Sequence, residues 1–231
     1  MAAATRSPVA RVLGIDGTRR GWVVVALHGG GFAGSSVVTS IADVISDPAV
    51  VIGVDIPLGE STPGARQAES RARQRLGARH STVFTPPPLT TAVAPTYEAA
   101  NALARDLTGK AMSKQAWHLL PKMADAAPYW QLTPERIREV HPECSFAEMN
   151  GAPLASRKRT AAGRRERIEL LAQHGIRLED SALDECGAPD DDVIDAAAVA
   201  WTAQRIARGC ACSFPDPPER DADGRPVAIW Y

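Results

Sequence analysis

The sequence predicts an α/β protein, a mixed sheet flanked by helices with a helical insertion after the fourth strand. Three observations carry this expectation. A hairpin pattern opens the chain, with β-branched runs at 12–15 and 22–27 joined by Gly17-Thr18-Arg19-Arg20-Gly21. A continuous apolar run at 50–56, VVIGVDI, has the pattern of a strand covered on both faces. Near the end, Asp190–Arg208 reads as a helix with almost no polar residue between Asp195 and Thr202, so it packs inside the protein.

The 231 residues are 45% hydrophobic and 23% charged, enough for a single domain over 1–231 with a sizeable insertion. A net charge of -1 gives no global basic field and excludes indiscriminate nucleic-acid coating. Charge is uneven locally: arginines gather at 66–79 and 157–167, acids at 179–192 and 216–223. The four cysteines form no CxxC pair, and Cys210-Ala-Cys212 is poor zinc spacing, so they read as reduced thiols of a cytoplasmic protein. The first eleven residues hold no apolar leader core, and no apolar run approaches about 18 residues, so a soluble protein with no membrane partner is expected.

After the hairpin, a glycine turn at 29–31 leads to a third run at 32–39, and Ser40 caps a short helix over 40–47. The buried strand at 50–56 stops at Pro57 and Gly59. The texture then changes over 58–134, taken as the helical insertion. It holds a basic helix at 63–77, a proline-rich loop at 82–95, and helices at 96–107 and 113–130. Residues 136–141 return to the sheet and end at Pro142, a long basic helix follows over 156–174, and 226–231 adds a short edge strand.

Two carboxylates end strands in this scheme, Asp16 and Asp55. Parallel neighbouring strands would put both on the sheet edge where open α/β sheets place their sites. Asp-Gly is also ordinary turn chemistry, so Asp16 alone decides nothing. Asp192 and Asp195 share one helical face, three residues apart. Asp190 and Asp191 read as acids suited to a helix N-terminus. Asp195 sits among Ile194 and Ala196–Ala200, where burying a bare carboxylate costs several kcal/mol; it requires a cation. Carboxylates converging from two strands and a helix are what Mg²⁺ or Mn²⁺ takes. Two such ions about 3.5–4 Å apart clamp a phosphoryl displacement, with Asp16 bridging, Asp55 on one ion, and Asp192 with Asp195 on the other.

Glu139, His141 and Glu143 would share one face of a strand, although Pro142 limits how far the strand runs. Glu139 is then a candidate extra ligand or general base, His141 a proton carrier to a leaving group, and Glu143 a second acid beside them. The alternative is a His141 bonded to a backbone carbonyl between two solvated glutamates. The basic stretch 157–167 is either a solvated face or a phosphate grip, with Lys158 its foremost contact.

The order of these pieces resembles the ribonuclease H-like superfamily. GIDGTRRGW looks like the opening hairpin of ribonucleases H, and DDVIDAAAVAWTA like the closing helix of Holliday-junction resolvases. Over roughly residues 12–203 the chain is similar to an uncharacterised family of predicted ribonuclease H-like nucleases, domain of unknown function 429. GIDGTRRGWVV, VDIPLG, STVFTPP, SKQAW, EVHPE, Lys158-Arg159-Thr160 with Gly163, and DDVIDAAAVAWTA carry the likeness. The resemblance implies a metal-dependent nuclease with Asp16, Asp55, Asp192 and Asp195 as ligands, Mg²⁺ or Mn²⁺ as cofactor, and nucleic acid as partner. The insertion after Asp55 departs from the ribonuclease H pattern and speaks against an RNA–DNA hybrid substrate. A nucleotide-handling relative of the same fold and a metal-free, catalytically silent module are the competing readings. Oligomeric state is left open by the sequence, a homodimer included.

Overall fold

Alternating and continuous apolar runs pair first with their chain neighbours. In the computed structural model, which describes residues 10–60, 66–179, 183 and 186–231, β1 (Arg11–Thr18), β2 (Gly21–His28) and β3 (Gly31–Val38) form an antiparallel meander. β4 (Val51–Val54) and β5 (Ile137–Glu139) extend it by parallel pairing, in the order β3-β2-β1-β4-β5. This is a mixed sheet, and nothing in its topology conflicts with the ribonuclease H-like expectation. Expectations for the N-terminal residues before Ala10, for Pro63 as a helix start and for part of the acidic run at 179–192 lie outside the described residues.

The hairpin turn is tighter than the sequence implied. β1 runs on through Thr18, which faces Gly21, so only Arg19 and Arg20 form the turn and Asp16 lies within the strand opposite Val23. Gly21 permits this. Its φ is 143°, and a Cβ there would meet the Val38 carbonyl oxygen of β3 at 2.0 Å.

Both faces of the sheet are covered. On one lie α5 (Ala161–Gln173) and α6 (Asp190–Arg208), with Val12, Val23, Val25, Leu27 and Val51 facing Val193, Ala197, Ala200 and Trp201. On the other lie α2 (Tyr97–Thr108) and α3 (Lys114–Leu132), where Leu120, Met123, Ala126 and Trp130 meet Leu13, Ile15, Val24, Ile52 and Val54. That double cover is why the strands read as continuous apolar runs. The elements between β4 and β5 are all helical among the described residues: α1 (Gln67–Leu76), 3-10 turns at Gly77–Thr82 and Leu89–Val93, then α2 and α3.

α6 lies directly on the sheet because of two glycines paired in register, Gly14 of β1 and Gly53 of β4. A Cβ on Gly14 would stand 2.1 Å from the Ala196 oxygen and the Ala200 nitrogen, and one on Gly53 would stand 2.8 Å from Val199 Cγ1.

Several boundaries differ from expectation, each for a local reason. The helix at 40–47 is a single 3-10 turn, Ile41–Val44, closed by a Ser40–Asp43 capping box. The basic helix starts at Ala161 rather than Ser156, because Thr160 caps it and accepts from the Gly163 amide at 3.0 Å. Lys158 therefore sits on a loop. β5 ends at Glu139; His141 is the N-cap of α4 (Pro142–Met149), with Pro142 in its first turn. The edge strand near the C-terminus joins a separate two-stranded sheet, β6 (Ser213–Arg220) with β7 (Pro226–Trp230); Val140 makes one bridge to Trp230. Among the described residues no helix is long and apolar enough to cross a membrane.

Candidate functional site

The parallel pairing of β1 with β4 ends at Ile15 and Val54, and the Asp55 amide donates to the Ile15 carbonyl at 2.8 Å. Asp16 and Asp55 thus follow the last paired residues on adjacent strands, at one edge of the sheet. α6 crosses that edge with Asp195, 3% exposed, and Asp192 one turn before it. Asp55, Asp192 and Asp195 all come within electrostatic reach of Asp16. Burial, followed by the charges of Asp55, Asp195 and Asp192, holds Asp16 well above the ordinary carboxylate range, with Lys158 opposing. Burial also lifts Asp55 to about 6; His141 and Lys158 oppose this, while Asp195 and Glu143 add to it. Asp192 and Asp195 are raised too, burial first, with Lys158 the main opposing charge for each.

The cation that Asp195 requires is supplied within the chain. Lys158 Nζ donates to Asp195 Oδ2 at 2.6 Å. Burial disfavours the Lys158 ammonium, but the Asp195 contact and the charges of Asp16 and Asp55 outweigh it and raise its pKa. Four carboxylates therefore share one ammonium. Among the described residues no group of three or more His, Cys, Asp or Glu is arranged to ligate a metal ion.

The glutamates of the second predicted cluster are buried and tied to arginines. Neither glutamate is solvated. Glu139 accepts from Arg66 Nη2 at 2.6 Å and from the Leu58 amide at 2.7 Å, while Arg66 also donates to the Leu58 and Gly59 carbonyls. These bonds hold the loop that follows Asp55, and burial raises the Glu139 pKa despite Arg66. Glu69 lies on the same arginine at 3.1 Å and is lifted by burial to about 7. Glu143 accepts from Arg167 Nη2 at 2.7 Å, and that guanidinium, 1% exposed, also donates to the Gly163 and Ser156 carbonyls. The pair fastens the loop that carries Lys158.

His141 takes the carbonyl partner, its Nε2 lying 3.2 Å from the Thr82 oxygen. Burial works against its charged form, but Cys144, Asp55 and the Thr82 carbonyl together raise its pKa to about 10.

The arginine runs are mostly structural. Arg167 is buried, Arg164 pairs with Asp190 at 2.5 Å, and Arg73, Arg75 and Arg79 donate to the Val83, Ala147 and Leu154 carbonyls. Arg157, Arg159 and Arg165 stay exposed. Sequence reasoning missed Lys122 and Asp125 of α3. Lys122 lies 4.4 Å above the Trp22 ring and donates to the Gly21 carbonyl; Asp125 accepts from Trp22 Nε1 at 2.7 Å and Ser40 Oγ at 2.6 Å. The one advance signal was the need of a buried tryptophan N–H for a partner.

A family model described as protein of unknown function, DUF429, matches residues 14–220, which include every residue of this cluster. The chain belongs to that family. No curated protein and no solved structure matches it significantly. The DUF429 match thus agrees with the family likeness seen in the sequence motifs and names no activity.

Proposed function

We propose that this DUF429 protein is a Mg²⁺- or Mn²⁺-dependent phosphodiesterase acting on nucleic acid. The observation that carries the reading is the convergence of Asp16, Asp55, Asp192 and Asp195 from three elements around one ammonium. The donors suit a hard divalent cation in chemistry but would have to draw together to ligate it: all are carboxylate oxygens, and their mutual repulsion is relieved by added positive charge. These four residues would hold the ion, which when bound supplies Lewis-acid polarisation of a phosphoryl oxygen and a stronger water nucleophile. Lys158, released from Asp195 and flanked by exposed Arg157 and Arg159, binds the phosphate. Glu139 and Glu143, each locked to an arginine, act as positioning residues for the Asp55 loop and the Lys158 loop. We place the protein in the reducing cytoplasm, in keeping with its four free thiols.

The Lys158–Asp195 pair also favours a second reading, a metal-free member in which the ammonium is the permanent counter-ion. Calorimetric titration of Mn²⁺ into wild type and Asp195→Asn, beside a Mn²⁺-activated cleavage panel of single-stranded, duplex and branched DNA and RNA, separates the two. Metal binding and cleavage by wild type alone support the phosphodiesterase. Equal indifference of both proteins to Mn²⁺ establishes the metal-free reading.

A further inference from the structure

A cavity of about 540 Å³ opens beside the carboxylate cluster and shares only Asp192 with it. Thr18, Arg19 and Arg20 line it from the tip of the β1–β2 hairpin, and Gly187 lies on the far wall with Asp192. A two-residue turn ordinarily takes Asn, Asp or Gly, residues with a local conformational or hydrogen-bonding reason to be there. Here it takes two arginines. Both are exposed, and among the described residues neither has an ion-pair or hydrogen-bond partner, unlike Arg66, Arg164 and Arg167. Two adjacent like charges repel unless an anion lies between them. The backbone beside them is held, because Gly21 is pressed against the Val38 carbonyl and Lys122 donates to the Gly21 oxygen. The tip presents two cationic side chains to the hollow.

We propose that this hollow is a phosphate subsite, in which Arg19 and Arg20 hold a backbone phosphate neighbouring the one at the carboxylates. It rests on the phosphodiesterase reading and sharpens it: the substrate is an extended phosphodiester chain, and a ligand with a single phosphate cannot occupy both places. Guanidinium forks suit phosphate oxygens, and such contacts position a chain without reading its bases.

The test compares wild type with Arg19→Ser/Arg20→Ser and with the charge-preserving Arg19→Lys/Arg20→Lys. Anisotropy of fluorescein-labelled single-stranded DNA and RNA oligonucleotides is measured across a salt series in EDTA, which prevents cleavage. Each single-strand phosphate that the protein neutralises adds about 0.7 to the steepness of log K against log salt. The serine pair should therefore be shallower than wild type by about 0.7, and the lysine pair almost unchanged. Inorganic phosphate should displace the oligonucleotide only in large excess. Mn²⁺ affinity, measured separately by calorimetry, should be the same in all three proteins. Equal slopes in wild type and the serine pair overturn the subsite, as does a wild type that binds neither oligonucleotide. Displacement by stoichiometric phosphate overturns the extended-chain claim, and a Mn²⁺ affinity that falls with the serine pair overturns a separate subsite. The Mn²⁺ titration of wild type reports on the carboxylates in every case, so failure of the subsite and failure of the phosphodiesterase reading stay distinguishable.

Discussion

Removing the Lys158 ammonium should tighten the binding of a divalent cation. Lys158→Met keeps much of the side chain's length and apolar stem while deleting the charge that lies 2.6 Å from Asp195. A cation entering the cluster of wild type must first displace this ammonium. The lysine side chain is 41% exposed and that of Asp195 5%. An exposed pair is worth about 0–1 kcal/mol, and stripping one partner from a buried pair costs about 3–5. A pair with one wet end and one dry end falls between, at about 1–2 kcal/mol, or roughly 5–30-fold in affinity. Mn²⁺ calorimetry should be run above neutral pH, because without Lys158 the Asp195 carboxyl rises further and protons compete for it. Lys158→Arg keeps the charge and should leave the affinity near that of wild type. Weaker Mn²⁺ binding in Lys158→Met would falsify the competition, since it would make the lysine a support for the ligand geometry instead.

Two further predictions concern the arginine–glutamate pairs. Arg167→Met strands Glu143 in the interior and should cost about 3–5 kcal/mol in urea unfolding, while Glu143→Gln/Arg167→Met should lose clearly less; equal losses in the two would refute the pairing argument. Glu69 is raised from 4.5 to about 7, so its contribution to stability is present in full below pH 4.5 and lost as pH rises through 7. Relative to Glu69→Gln, wild type should therefore lose at most about 3 kcal/mol between those limits, checked by urea midpoints across the range. Parallel pH profiles for the two proteins would show that Glu69 stays ionised throughout.

What could be read in the sequence was what local pattern determines. Residues 12–27 and 50–56 announce strands because both faces of each are dry, and the alanine-rich α6 announces a buried helix for the same reason. Asp195 stood out because its neighbours left a charge no water. Its demand for a cation was legible; that Lys158 meets it was not, since a lysine 37 residues away in the chain carries no mark of its partner. The same limit hid the partners of Glu139 and Glu143, which lie 73 and 24 residues away. A cluster of arginines in sequence looks like one patch, yet here it dissolves into separate tethers aimed at different carbonyls and carboxylates. β6 escaped notice because Pro215, Pro217 and Pro218 fall within it, and proline is tolerated there only because that strand lies outside the main sheet.

The glycine pair beneath α6 bears on how well such a site keeps its dimensions. Layers that meet through side chains are separated by whatever those side chains fill, and the gap drifts as they are exchanged. At Gly14 nothing lies between strand and helix that can be exchanged, and at Gly53 the Val199 side chain is the nearest filler. The height of Asp195 over Asp16 and Asp55 is therefore gauged by peptide resting on peptide, one residue along from where the carboxylate leaves the helix. Substitutions in the surrounding core can accumulate without moving that gauge, whereas one methyl at either glycine lifts the helix and opens the cluster. The calibration of the four acids resides in two side chains that are not there.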